Sequence, residues 1–153
     1  MLRMPRKTMF ALEAVVDIAY NARPEPVQSK EITRRQGIPQ RYLEQVMQQL
    51  VHAGVLKGVR GPRGGYTLAR ERRRITVGEV VRVIDALDRE DDDAEGAESN
   101  GSELGQRVVR PLWNEMQEEM MRRLDAITLE DLCQRARDSG IKNEARDRPD
   151  FTI

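Results

Sequence analysis

Seven side chains in two short stretches have the types and spacing for reading a nucleic acid. In QRYLEQ, residues 40 to 45, Gln40, Arg41, Tyr42, Glu44 and Gln45 are crowded into six positions. In GVRGPRGGY, residues 58 to 66, Arg60 and Arg63 stand among four glycines and a proline. Amide and guanidinium groups make paired, directional hydrogen bonds to base edges, glutamine to adenine and arginine to guanine, so Gln40, Arg41 and Gln45 suit a major-groove reader. An arginine on a slim backbone suits the narrow minor groove, and Gly61, Gly64 and Gly65 would provide that slimness beside Arg60 and Arg63. Arg70 follows in the same segment.

Other chemistries have less to work with. The chain of 153 residues holds one cysteine, Cys133, and one histidine, His52, far apart in sequence, which leaves nucleophilic catalysis poorly supplied. Cys133 lies on the inner side of a short helix with Leu129 and Leu132 and reads as a small buried hydrophobe. His52 falls in the last turn of a helix, where it complements the dipole. Carboxylates abound in consecutive runs without a turn scaffold, the pattern of solvated acids; no metal site is expected from them. A single cysteine excludes an internal disulfide, no apolar run approaches the length of a membrane span, and a cytoplasmic location follows by default.

The elements that must position these side chains are legible from periodicity. Met9, Leu12, Val15, Val16 and Ala19 recur at helical spacing, predicting a buried first helix from Lys7 to about Ala22, which Pro24 and Pro26 stop. Ser29 is the expected N-cap of a second helix, SKEITRRQ, closed by Gly37. Pro39 opens a third, PQRYLEQVMQQLVHA, with Leu43, Val46, Met47 and Leu50 on one face and Gly54 at its end. Two short helices joined through a glycine fit a helix-turn-helix, and equally an ordinary helical hairpin. The next segment separates the two: VLKGVR and YTLA flank the turn GPRGG and predict a β-hairpin with a basic tip. Together they make a winged helix-turn-helix, residues 1 to 87, completed by a fourth helix that starts with a Thr76/Glu79 capping box and buries Val77, Val80, Val81 and Ile84. The ERRR run before it reads as a solvated loop.

Charge is segregated along the chain although the formal total is zero. Residues 1 to 82 carry 16 basic and 7 acidic side chains, net +9, and residues 83 to 106 carry 1 and 9, net −8. The first part suits a polyanion; the second, residues 88 to 106, reads as a flexible acidic loop. Beyond it Val109, Leu112, Trp113, Met116, Met120, Leu124 and Ile127 form an apolar stripe over about five turns. Two outcomes are open for the stripe: packing on its own domain, or pairing with a second copy, with Leu112, Trp113, Met116, Met120 and Leu124 as the dimer contacts. A short helix, TLEDLCQRARDS, ends residues 107 to 140, and residues 141 to 153 read as a loose polar tail. The fold class is thus mainly α: a winged helix-turn-helix with a small hairpin wing and a long dimerisation helix. The expected partners are double-stranded DNA and a second copy of the chain.

The segments FALEAVVDIA, IPQRYLEQVMQQLVHAGVLKGVRGPRGGYTLAR, ITVGEVVRVID, LW and ITLEDL resemble the Rrf2 family of bacterial transcription regulators. The resemblance runs to about Leu132. It implies a homodimer on operator DNA, with Arg41, Tyr42 and Gln45 as readers, Glu44 tuning specificity, and Arg60 in the minor groove. Many members of that family hold an iron-sulfur cluster through three cysteines between the fourth helix and the long one, with a histidine or an acidic residue as a further ligand. Aligned on Trp113, this chain has Arg107 and Arg110 at the last cysteine and histidine positions, and Met9 at the first-helix acidic position. Soft iron wants thiolates, and two cations would repel it, so no cofactor is expected. Two variants of the reading follow from that loss: the acidic segment could dock a partner protein, or Arg107 and Arg110 could receive a small anionic effector.

Overall fold

The computed structural model describes residues 4 to 94 and 101 to 144, the side chains of 90 to 94 excepted. It is mainly helical, as expected, with α1 (Arg6–Tyr20), α2 (Ser29–Gln36), α3 (Gln40–His52), strands β1 (Leu56–Val59) and β2 (Gly65–Leu68), then α4 (Val77–Ala94), α5 (Arg110–Asp125) and α6 (Leu129–Asp138).

Helix α1 is the centre of the core, in contact with α2, α3, α4 and α6. Its buried positions are Thr8, Ala11, Ala14, Val15, Asp17, Ile18, Ala19 and Tyr20, and four small or medium side chains among them let neighbouring helices approach on two sides. Met9, placed on the buried face by periodicity, is 43% exposed. With apolar residues almost all round the helix, the spacing cannot say which side is wet. The second helix begins after Gln28, whose backbone N–H donates to the Glu31 carboxylate at 2.9 Å, so the cap lies one residue before Ser29. Gly37 ends it at φ 65°, in the left-handed region where glycine carries no Cβ penalty.

Strands β1 and β2 pair antiparallel with Leu56 opposite Leu68 and Val59 opposite Gly65. A third element braces the pair: Val27 and Tyr66 exchange backbone hydrogen bonds of 2.9 and 2.8 Å. This contact explains Gly65, because a Cβ there would lie 2.7 Å from the Val27 carbonyl carbon. Gly64 is likewise hemmed in by the turn itself, 2.9 Å from the Gly61 carbonyl oxygen. Gly64 and Gly65 are therefore required by the hairpin's own packing, whatever approaches its tip.

Helix α4 starts as half a capping box. Glu79 N–H donates to Thr76 Oγ1 at 3.2 Å, while the Glu79 carboxylate turns to Arg70, at 2.6 Å. The helix runs on to Ala94, so residues 88 to 94, expected in a loop, are helical. About three turns, anchored by Val80 and Ile84, precede them, and adding residues to an existing helix is far easier than nucleating one. Residues 95 to 100 of the acidic stretch lie outside the described residues. Helical structure resumes at Glu103, inside the span read as a loop, and passes through a π turn, Gly105–Val109, into α5. Pro111 accounts for the π turn: it cannot donate to the Arg107 carbonyl and its ring would clash there, and a widened turn just before it relieves the conflict.

The tail expectation is corrected for residues 141 to 144, which dock on α1. Tyr20 Oη donates to the Ile141 carbonyl, Asn143 Nδ2 donates to the Tyr20 carbonyl at 2.6 Å, and Glu144 N–H donates to Asn21 Oδ1 at 3.1 Å. Buried backbone ends at the close of α1 need partners, and this segment supplies them. The remaining tail, 145 to 153, lies outside the described residues.

Candidate nucleic-acid interface

Helix α3 buries Leu43, Val46, Met47 and Leu50 against the core. The 3.6-residue period then leaves Gln40, Arg41, Tyr42, Glu44 and Gln45 exposed on the other side of its N-terminal half, all five of the expected readers on one outward surface. Three of them are not wholly free. Gln40 Nε2 donates to Glu44 Oε1 at 3.1 Å, one turn on, and Tyr42 rests its ring 6.0 Å from that of Phe10 on α1, at 39°. These contacts preset the side chains that flank Arg41.

The arginines divide into two sets, a division the sequence did not reveal. Arg41, Arg60 and Arg63 are exposed and have no ion-pair partner among the described residues. Arg70 is held by Glu79 at 2.6 Å, Arg73 by Glu71 at 2.6 Å, Arg82 by Asp125 at 2.5 Å, and Arg72 by Glu130. Arg70, third of the arginines in the hairpin segment, is thus separated from the wing tip. It braces the first turn of α4, and its bond to Glu79 raises its pKa further. Arg41, Arg60 and Arg63 thus leave unpaired charge on the α3 N-terminal half and the wing tip, and Arg74, at the end of the ERRR run, is exposed without an ion-pair partner among the described residues as well. Lys57, exposed on β1 opposite Thr67, also has no ion-pair partner among the described residues. The alternation of VLKGV could have placed it outward.

The wing tip is a tight turn: Gly64 N–H donates to the Gly61 carbonyl at 2.9 Å, with Gly61 at φ 113°. Arg60 precedes that turn and Arg63 sits within it, on a hairpin held at its base by Ala69 N–H to Val55 O at 3.0 Å and by the Val27 bridge. A short braced hairpin loses little freedom when it meets a groove.

Behind the interface, α2 is fixed by a buried ionic cluster. Arg35 donates to both oxygens of Asp17, at 2.7 and 2.8 Å, Gln36 adds a bond at 2.8 Å, and Asp17 is fully buried. Glu144 from the docked tail binds Arg35 at 2.5 Å and Arg34 at 3.2 Å. Glu31 feels burial, which would raise its pKa, but hydrogen bonds from Arg23 and Gln28 and the charges of Arg23 and Arg35 together hold it below the usual value.

The expected dimer contacts lie on an unpartnered face. Leu112, Trp113, Met116 and Met120 are exposed, Trp113 by 47%, and no residue of α5 is buried. Leu124 alone of the five is half-buried, where α5 nears α4. Packing of the stripe on its own domain is therefore absent from Leu112 to Met120.

The comparisons with known proteins decide the family. Residues 4 to 135 match the model of the Rrf2 family, described as an iron-dependent transcriptional regulator. The chain belongs to the Rrf2 family. It is 34% identical to the HTH-type transcriptional regulator IscR of Xenorhabdus nematophila, over 99% of this chain and 96% of that one. IscR of Klebsiella pneumoniae (strain 342) is 35% identical over 86% of this chain and 79% of that one. Among solved structures, T. potens IscR superposes with a TM-score of 0.71 at 33% identity, covering 93% of both chains. CymR (YrzC), the global cysteine regulator of B. subtilis, superposes at 0.64 and 30% identity, covering 88% of this chain and 98% of that one. This Rrf2 protein is a winged-helix, DNA-binding transcription regulator and not an enzyme. Among the described residues no helix is long and apolar enough to cross a membrane.

The family description raises iron, and the donor set here does not fit it. The one thiol, Cys133, is fully buried on α6, and burial pushes its pKa up, away from the thiolate that iron needs. Among the described residues no three His, Cys, Asp or Glu side chains converge. Arg107 occupies the helical start of the long arm, paired with Glu103 at 3.0 Å on open surface.

Proposed function

We propose that this Rrf2 protein acts as a homodimeric repressor on an imperfectly palindromic operator. Helix α3 lies in the major groove of each half-site, where Arg41, Gln45 and Gln40 read base edges while Tyr42 and Glu44 restrict what is accepted. Arg60 enters the adjacent minor groove and Arg63, with Lys57, contacts phosphate. The observation that supports this reading is that Arg41 on α3 and Arg60 and Arg63 at the wing tip are exposed with no carboxylate partner among the described residues, whereas Arg70, Arg72, Arg73 and Arg82 are ion-paired. An unpaired guanidinium on a braced turn keeps its full attraction for phosphate and guanine. The second subunit follows from the arm, whose Leu112, Trp113, Met116 and Met120 stay in water in the single chain. Two-fold protein symmetry then asks for two-fold symmetry in the DNA.

The test is selection of bound fragments from the source genome, followed by fluorescence anisotropy on the recovered site and sedimentation of the protein alone. A two-subunit mass and a palindromic site near a promoter, bound less tightly as salt rises, support the reading. A one-subunit mass with no duplex bound at low ionic strength overturns it.

A further inference from the structure

Where the arm meets the winged helix, three features converge. Val77 N–H donates to the Ile127 carbonyl at 2.8 Å and Leu129 N–H to the Ile75 carbonyl at 2.9 Å, so Thr76 and Thr128 form an antiparallel bridge. Asp125, the last residue of α5, accepts from both Arg82 Nη atoms, at 2.5 and 2.6 Å. Gly78, in the first turn of α4, leaves the space for that carboxylate. A Cβ at this position would overlap Asp125 Oδ1 and lie 2.9 Å from its Cγ and 3.0 Å from its backbone N.

Gly78 is not demanded by its own backbone, since it is absent from the glycines of positive φ. Within a helix glycine is less favourable than alanine, so local preference argues against it. What it permits is close seating of the end of α5 on the start of α4. An exposed ion pair alone fixes little. The Arg82 fork, the Gly78 contact and the backbone bridge act on the same few residues and together define one angle between arm and domain.

That angle has leverage. Helix α5 has 16 residues, about 24 Å at 1.5 Å per residue. A swing of about 10° moves its far end by about 4 Å, more than the roughly 3.4 Å rise of a base pair. We propose that Gly78, Arg82 and Asp125 form a lock that sets the arm angle and thereby the half-site spacing the regulator accepts. The inference rests on the two-fold reading above, and it makes these residues determinants of specificity that touch no DNA.

The test uses the full chain and its selected operator, with the half-site spacing altered by one base pair in each direction and a duplex carrying a single half-site as control. Wild type is expected to lose about tenfold in affinity for either altered spacing, the usual scale of a one-position mismatch. Gly78→Ala, which improves helix propensity, and Arg82→Ala, at an exposed position, are each expected to cut that discrimination to about threefold or move the optimum by a base pair, with single-half-site affinity kept within about twofold. Circular dichroism and sedimentation identify folded dimers, and if one variant fails to fold the other decides. Folded dimeric variants with the wild-type spacing profile overturn the lock. A monomeric wild type, or one indifferent to spacing, overturns the two-fold reading and the lock with it.

Discussion

At the scale of single residues, some arginines have carboxylate partners and others do not, and the proposed reading gives the DNA contacts to unpaired ones on α3 and the wing tip. Arg60→Ala should weaken operator binding by about 1 to 3 kcal/mol, measured by fluorescence anisotropy, if the guanidinium enters the groove. Arg70→Ala should leave that affinity nearly unchanged, because Glu79 already holds the side chain, and it should lower the melting temperature slightly through a half-exposed pair worth about 0 to 1 kcal/mol. Equal losses for the two variants would contradict the division. Glu31 supplies a pH prediction. Its folded pKa lies below its ordinary value of 4.5, so its contribution is fully present above pH 4.5 and fades as pH falls through the folded value. Glu31→Gln should therefore be less stable than wild type at pH 7, by about 1 to 3 kcal/mol for lost charge-assisted bonds, and the gap should narrow in thermal melts below that pH.

At the scale of elements, α5 keeps Leu112, Trp113, Met116 and Met120 exposed, the face proposed to pair with a second copy. Its apolar side chains cost little while covered and a good deal while wet, at about 25 cal/mol per Å². Met116→Glu, at the centre of the stripe, should shift the sedimenting species from two subunits to one and lower operator affinity at least tenfold, since two linked half-sites become two independent ones. An unchanged mass would place the interface elsewhere. The hairpin teaches a different lesson about elements. Its glycines looked like concessions to a nucleic acid, but the Val27 backbone is what a side chain at Gly65 would strike.

At the scale of the whole molecule, the ionic cluster around Asp17 joins three parts distant in sequence: α1, the end of α2, and the docked segment 141 to 144. Because Asp17 is fully buried and accepts three bonds from Arg35 and Gln36, losing it leaves the largely buried Arg35 short of its main partner. Asp17→Ala should cost about 3 to 5 kcal/mol in urea unfolding, the range for breaking a buried pair. Its partners also redraw the charge map. The net +9 of residues 1 to 82 overstates the field a DNA would meet, since Arg72, Arg82 and the pair Arg34 and Arg35 are tied to Glu130, Asp125 and Glu144, carboxylates outside that span.

Local rules read off the chain gave the helices, the hairpin and the exposed side of α3, because each depends on spacing and punctuation within a dozen residues: Gly37 and Gly54 as stops, Leu43 to Leu50 as a buried stripe, GPRGG as a turn. The same rules set α4 too short and the tail too loose, since its extension and the tail's docking rest on core anchors and on partners around Tyr20 and Asn21. Residue types and order alone determined a winged helix of the Rrf2 family with a single cysteine. Tertiary structure decided which arginines are left unpaired, which side of α1 is wet, and how the arm seats on α4, because each turns on contacts between residues tens of positions apart, whose pairing no local pattern encodes.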